Sequence, residues 1–323
     1  DIDIEERPSG EISLTAGFGT TGEIIGGGLK EKNFLGKGIN LDTSLELTPD
    51  SVKGKFVYAK PNFNNTDNTL FTSLKSSTND FLSNSGYKTS ELGFSLGTKF
   101  EQFQNIFLSP EIDFLIEDLE TSNKASDVLK KQEGSYTDLY FNYTINQDLR
   151  DRKFQTQDGY QTFFSQEVPL ISDNSEFSNA FEVSKFKKLS TRSDTIGRIS
   201  FFAKTITGLN DDVRISKRLN IPTNKLRGFE KGRVGPIDNN DYVGGNHVTT
   251  FNLSATLPNI LEDLDNLDIG VFFDAANIWG VDYNSSLDDK STIRTSTGIA
   301  FNLLTPIGPL SFSFANALTK ASS

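Results

Sequence analysis

Apolar and polar residues trade places at nearly every step through most of this chain. Between Ser9 and Gly19, Ile12, Leu14, Ala16 and Phe18 share one face, while Glu11, Ser13, Thr15 and Gly17 share the other. A period of two marks a β-strand with one apolar face. The pattern resumes after Thr20-Thr21-Gly22 in a segment reaching Asn33. Beyond Phe34-Leu35-Gly36-Lys37-Gly38 it sets Ile39, Leu41, Thr43, Leu45 and Leu47 against Asn40, Asp42, Ser44 and Glu46. Later segments centre on Phe56 and Tyr58, on Leu70 and Leu74, on Leu92, Phe94 and Leu96, and on Ile112, Phe114 and Ile116. The alternation continues through Phe141 and Tyr143, Tyr160 and Phe164, Phe181 and Val183, and Ile199 and Phe201. It ends with Phe251 and Leu253, Val271 and Phe273, Ile299 and Phe301, and Phe312 and Phe314. This template predicts about fifteen strands of roughly 9 to 11 residues, the length a tilted strand needs to cross a bilayer. Helical spacing is nowhere sustained.

The connections alternate in length, as they do where an outer-membrane barrel has short turns at one rim and longer loops at the other. Phe34 to Lys37, Asn62 to Asp67, Glu101 to Asn105, Arg150 to Gln157, Leu189 to Asp194, Asn259 to Asn266 and Thr305 to Gly308 form the shorter set. Leu119 to Gly134, Thr207 to Asn246 and Gly280 to Ser291 belong to the longer one, although the connections at Thr20 and Pro49 are short. Pro61, Pro258 and Pro306 stand at strand ends on the short-turn side, where no ladder N–H is lost. The fold expected is an all-β, antiparallel up-and-down transmembrane barrel over residues 9–323, with no second domain.

The longest connection, residues 207–246, contains Arg218 to Asn246, too long for a turn. Loops of this length without their own secondary structure are uncommon unless functional or disordered. Glycines at Gly228, Gly232, Gly235, Gly244 and Gly245 imply a tightly bending, defined path.

Composition narrows the choices. The mean hydropathy is -0.38 and no run of about 18 apolar residues exists, so no segment can cross a membrane as a helix. A barrel remains open, because only alternate residues face lipid. The net charge of -11 argues against nucleic acid as a partner. The absence of cysteine removes disulfide and thiolate chemistry, and His247 is the only imidazole. The chain opens on Asp1 without Met or a leader pattern, so a fragment or mature region is expected.

Enzymatic signals are thin, and neither a catalytic residue, a metal ligand nor a cofactor site is predicted. Asp211-Asp212 and Asp288-Asp289 lie in loop-like stretches and read as solvated charge. Gly22 to Gly28 lacks the helix and the Lys-Ser/Thr pair of a phosphate cradle. His247 opens a strand without triad or metal spacing and reads as a polar rim residue. More informative are Arg227 and Asp274. With Val271, Phe273 and Ala275 toward lipid, the period turns Phe272, Asp274 and Ala276 into the lumen. A loop folding inward could bring Arg227 to that acid, since a guanidinium matches a carboxylate bidentately. Two separately solvated charges would satisfy the same spacing.

Leu226-Arg227-Gly228-Phe229, followed by Val234-Gly235-Pro236 and Gly244-Gly245-Asn246, resembles the inward loop of the BamA family of outer-membrane barrel-assembly proteins. Gly270-Val271-Phe272-Phe273-Asp274-Ala275-Ala276-Asn277-Ile278-Trp279 is similar to that family's aromatic-Asp strand. Ile293 to Gly298 and Thr305 to Leu310 resemble its last strands. Glu5 to Glu11 and Asn33 to Gly38 resemble its passage from the last periplasmic POTRA domain into the barrel, so the likeness covers nearly the whole chain.

The resemblance implies a barrel of sixteen strands, an even number as in bacterial outer-membrane barrels. It also implies that Arg227 reaches lumenal acids. Asp274 matches one of them, and Ser254 stands where the family has a Glu, which leaves Arg227 more dependent on Asp274. Ala275-Ala276 departs from the family's Gly. Residues 1–8 are expected to be the tail of a POTRA domain. Because the chain ends on Lys320-Ala321-Ser322-Ser323, the closing aromatic-ended strand and the upstream POTRA domains are expected to be missing from it.

By that resemblance the protein is an integral component of the bacterial outer membrane that folds and inserts β-barrel proteins without chemistry. A seam at the first strand, Ser9, Gly10, Glu11, Ile12, Ser13, Leu14, Thr15, Ala16, Gly17, Phe18 and Gly19, would open and pair with an incoming strand by β-augmentation. Unfolded outer-membrane proteins, outer-membrane lipids and accessory lipoproteins docking through POTRA domains are the implied partners. The rival readings are a polypeptide translocation pore of the same superfamily, a passive porin, and a membrane-embedded hydrolase using His247.

Overall fold

A computed structural model describes residues 9–19, 22–153, 156–190, 195–258, 267–284, 287, 291–305 and 308–319. The expected POTRA tail, residues 1–8, and the chain's last four residues lie outside these. The strands are β1 (Gly10–Gly19), β2 (Gly22–Phe34), β3 (Ile39–Thr48), β4 (Ser51–Lys60), β5 (Thr69–Phe81), β6 (Tyr87–Phe103), β7 (Ile106–Thr121) and β8 (Gly134–Asp148). They continue as β9 (Gly159–Ser172), β10 (Glu176–Lys188), β11 (Ile196–Gly208), β12 (Ile237–Asp238), β13 (Asp241–Tyr242), β14 (His247–Pro258), β15 (Leu267–Trp279), β16 (Arg294–Thr305) and β17 (Gly308–Ala317).

Fifteen of these form one antiparallel sheet in chain order, the number that alternation predicts, and β12 and β13 pair separately as a hairpin inside the long loop. The sheet is an up-and-down β-barrel. The segment after β11 lies within its curve and reaches side chains on β7, β8, β10 and β15 from the inside. Among the described residues β1 is hydrogen-bonded only to β2, and β17 only to β16.

Burial is inverted relative to a water-soluble barrel. Outward positions carry Leu74, Leu92, Phe94, Leu96, Phe201, Val271 and Phe312, all exposed. Inward positions carry polar groups that satisfy one another: the buried pairs Ser73 with Ser95 at 2.6 Å and Ser184 with Ser200 at 2.6 Å, and the partly exposed Lys75 Nζ with the buried Asp113 at 2.9 Å. An apolar outside and a polar inside is what lipid on one face and water on the other require.

Several strands are longer than the bilayer-crossing length that alternation predicts. β6 has 17 residues, β7 has 16 and β8 has 15. The excess stands on the long-loop side, where side chains of the inward segment cover the strand ends and pairing continues beyond the apolar belt. On the short-turn side, backbone chemistry decides the geometry. Leu35, Gly36 and Gly38 adopt positive φ of 56°, 69° and 62° and close the β2–β3 turn. The Leu119 to Gly134 connection includes one helical turn, α1 (Asp127–Lys130), whose N-cap Ser126 accepts from the Leu129 N–H.

Candidate functional site

The segment from β11 to β14 is an ordered inward loop. Two apolar clusters hold it. One joins Val213, Leu219, Ile221 and Leu226 of the loop to Ile206, Val248, Ala276 and Ile278 of the wall, with Phe229 and Val234 packed against it. The other joins Ile215 and Val243 to Tyr87, Leu119, Ala125 and Leu129. Backbone bonds close the loop's base: Leu219 and Gly245 exchange N–H···O bonds of 2.8 and 3.1 Å, and the Val243 N–H donates to the Pro236 oxygen at 3.1 Å. At Gly244, with φ of 70°, a Cβ would stand 2.6 Å from the Leu219 oxygen, so no larger residue fits this closure.

Arg227 and Asp274 meet. The guanidinium donates from Nε and Nη2 to the two carboxylate oxygens at 2.8 and 2.7 Å, and the Arg227 backbone N–H adds a third bond of 3.1 Å. Asn252 Nδ2 supplies a fourth donor to Asp274 at 2.8 Å and bonds the Lys225 carbonyl as well. The cation lies 3.4 Å from the centroid of Phe272, which presents its π-face. Asp274 is fully buried, whereas the Arg227 side chain keeps 24% of its exposure. The period of two on β15 explains the meeting: Val271 is exposed, and Phe272, Asp274 and Ala276 are buried.

Ser254 is not a direct partner of Arg227. It stands opposite Phe272 on β15 and Arg198 on β11 in the ladder, and lines the cavity that Arg227 borders, without a hydrogen bond to it among the described residues. A short hydroxyl cannot span where a carboxylate would; Asn252, on the same face, holds Asp274 instead. Gly228, with φ of 86°, packs so closely on Ala315 of β17 that a Cβ would lie 3.0 Å away. His247 stacks on Trp279 with centroids 5.5 Å apart, a packing role at the strand end.

Sequence reasoning missed a stronger set of contacts. Arg214 is wholly buried and meets three buried carboxylates, Glu117 at 3.3 Å, Asp138 at 2.5 Å and Glu176 at 3.1 Å, from β7, β8 and β10. It also lies 4.3 Å from the Tyr136 ring centroid. Burial pushes the Arg214 guanidinium down, and Glu176, Glu117 and Asp138 outweigh it, holding it above its ordinary range. Lys217 stands 3.9 Å from Glu117. Arg218, also buried, forms an ion pair with Asp282 and donates to Asn246 Oδ1 at 2.8 Å and the Val213 carbonyl at 3.1 Å. Burial raises the Asp282 carboxyl; the Arg218 charge and the Val213 N–H outweigh this and hold it below the usual range. The signal was present as parity. Glu117, Asp138 and Glu176 fall on the inward phase of strands whose outward phase is Ile116, Leu139 and Phe177.

An inward loop pinned by arginines inside an apolar-belted barrel defines the class. The sequence profile of the Omp85 superfamily domain matches residues 33–323, and the chain belongs to that superfamily. It is 24% identical, over a 385-residue alignment, to the outer membrane protein assembly factor BamA of Neisseria meningitidis serogroup B, covering 99% of this chain and 46% of that protein. The chain thus spans about half the length of this relative. Its fold is similar to that of BamA from Haemophilus ducreyi lacking POTRA domains 1–3, with a TM-score of 0.83, 22% identity and coverage of 98% and 68% of the two chains. CdiB from Escherichia coli has a TM-score of 0.65 at 13% identity, covering 98% of this chain and 60% of that one. CdiB from Acinetobacter baumannii has a TM-score of 0.56 at 12% identity, covering 95% and 58%. Within the superfamily these likenesses support a barrel domain of the BamA family, an integral protein of the outer membrane of Gram-negative bacteria.

Proposed function

We propose that this barrel is the membrane part of an outer-membrane protein assembly factor, which folds and inserts β-barrel proteins through a lateral seam. The observation that carries the reading is the likeness to an outer membrane protein assembly factor over 99% of this chain. The seam strand would be β1, whose outward residues Ile12 and Leu14 are 78% and 74% exposed. An unpaired strand edge is a template for another strand.

The step is physical: an incoming strand replaces hydrogen bonds to water with ladder bonds to β1, and its apolar face passes to lipid. No covalent bond is made or broken in this scheme, so it calls for no catalytic residue or cofactor. The partners are unfolded outer-membrane proteins and the surrounding lipids, with accessory lipoproteins meeting POTRA domains of the full-length protein. In this scheme the loop fills the lumen, and Arg227 with Asp274 sets its position relative to the seam.

The test uses the full-length protein reconstituted in liposomes with an unfolded outer-membrane barrel as substrate. Folded substrate should accumulate faster than in empty liposomes, and a cysteine placed on β1 should crosslink to one on a substrate strand in ladder register. Conductance without accelerated folding would favour a passive pore. Passage of the polypeptide into the liposome interior would favour the translocation reading.

A further inference from the structure

A cavity of about 480 Å³ opens at the short-turn end of the lumen, within the range of about 300 to 1,000 Å³ usual for ligand sites. Arg150, Lys153, Arg198 and Arg227 line it, against a single acidic side chain among its described lining residues, Asp268. Such a basic wall is unexpected in a chain of net charge -11.

The three guanidiniums are held alike. Arg150 donates from Nε and Nη2 to Asp148 at 2.8 Å each, and Arg227 uses the same edge on Asp274. Arg198 donates from Nε to Ser200 Oγ at 2.9 Å and from Nη2 to Ser184 Oγ at 3.3 Å, and lies 5.3 Å from the Phe186 ring centroid. Each therefore has one edge fixed, and among the described residues none uses Nη1 in a hydrogen bond. Arg198 differs in having no carboxylate within hydrogen-bond distance among the described residues. The Glu182 charge on β10 acts on it without a direct bond, and Glu182 is itself bonded to Lys225 at 2.6 Å. The neighbours of Arg198 across the ladders are Phe186 and Ser254, both uncharged. Among the described residues, two of the three pre-oriented guanidiniums that border the cavity are thus bonded to a carboxylate and the third to hydroxyls, with the Lys153 ammonium and the Asp268 carboxylate in the same wall.

We propose that this cavity binds a phosphate group, with Arg198 as its principal ligand. Converging charged donors match an anion with three or four oxygens better than a carboxylate with two. The same chemistry is offered by free phosphate and by the headgroup of a phospholipid. The site does not depend on the insertase reading, because it rests on the cavity wall alone.

The experiment is calorimetric titration of the protein in neutral phosphatidylcholine nanodiscs with inorganic phosphate, glycerol 3-phosphate and acetate. Saturable binding of at least one phosphate, tighter than acetate, is expected. Arg198→Gln should weaken it by about tenfold or more, the usual loss for one charge-assisted bond, and Arg198→Lys should fall between. Lys130→Gln, on α1 at the other rim, should bind as the parent does. Tighter binding of glycerol 3-phosphate would support the lipid headgroup as source, and tighter binding of inorganic phosphate the free ion. Should Arg198→Gln lose the heat-resistant electrophoretic mobility of a folded barrel, Lys153→Gln replaces it and should also weaken binding. Absence of phosphate binding, equal binding of acetate, or unchanged affinity in the folded variant would overturn the proposal.

Discussion

Arg214 and Arg227 sit on the same loop and do opposite kinds of work. Arg214 is sealed among three carboxylates at the rim where the strands run long, with no exposed surface on any partner beyond 1%. Arg227 meets one carboxylate deeper in the lumen and keeps part of its surface toward the cavity of about 480 Å³. A cation shared by three strands can leave only if all three acids lose their countercharge together. A cation on one acid can exchange that partner while the rest of the loop stays in place. The difference separates an anchor from an adjustable contact.

The strongest way to break this comparison is Arg214→Ala. It leaves the buried Asp138 and Glu176 without their countercharge and Glu117 with Lys217 alone, and loss of even one buried partner costs about 3 to 5 kcal/mol. A large fall in the urea midpoint and protease cleavage within 209–246 are expected; a midpoint like that of the parent would reduce Arg214 to a bystander. Next comes Arg227→Ala. Asp274 keeps its bond from Asn252, so the cost should sit near the lower end, about 3 kcal/mol, with the loop still protected at its Arg214 end. Assembly activity should fall even where the barrel remains folded. Equal protease sensitivity across the whole loop would erase the distinction.

Acid provides a third, milder probe, because Arg218 and Asp282 lie outside the membrane-spanning strands. The folded carboxyl is held below its ordinary value, so the pair contributes stability above the unfolded aspartate pKa of about 3.9 and loses it as pH falls through the lower folded value. Protection of the loop from an acid-active protease should therefore persist below the ordinary aspartate range, and Arg218→Gln should move its loss to higher pH. The smallest effect is expected from Gly228→Ala. A positive φ with a methyl pressed on Ala315 should cost about 1 to 2 kcal/mol, read as a small shift of the urea midpoint.

Much of this could be seen in the residue order because period two assigns each side chain a side. Val271 against Phe272 and Asp274 told lipid from lumen, and the spacing of segments predicted the strand number. Parity together with a loop long enough to return left the Arg227–Asp274 contact and two separately solvated charges both open; the family resemblance implied the contact, and the geometry makes it. The Arg214 anchor could not be seen, since its three acids come from strands far apart in the chain and only curvature of the sheet brings them together. Strand length was also hidden: the apolar pattern stops at the edge of the lipid, while ladder pairing in β6, β7 and β8 continues into water. Ser254 shows the converse, a residue identified by its place in a motif whose direct bond the geometry does not make.

The distance along the chain between Arg214 and its acids also bears on the order of folding. Asp138 lies 76 residues and Glu176 38 residues from Arg214 in sequence, on strands separated in the sheet by β9. Contacts of such long range form only after the intervening chain is ordered, because its closure entropy must be met first. β7, β8 and β10 must stand in final register before three carboxylates can converge on one guanidinium. The loop therefore docks late, and its docking reports that the tall wall of the barrel has been built correctly.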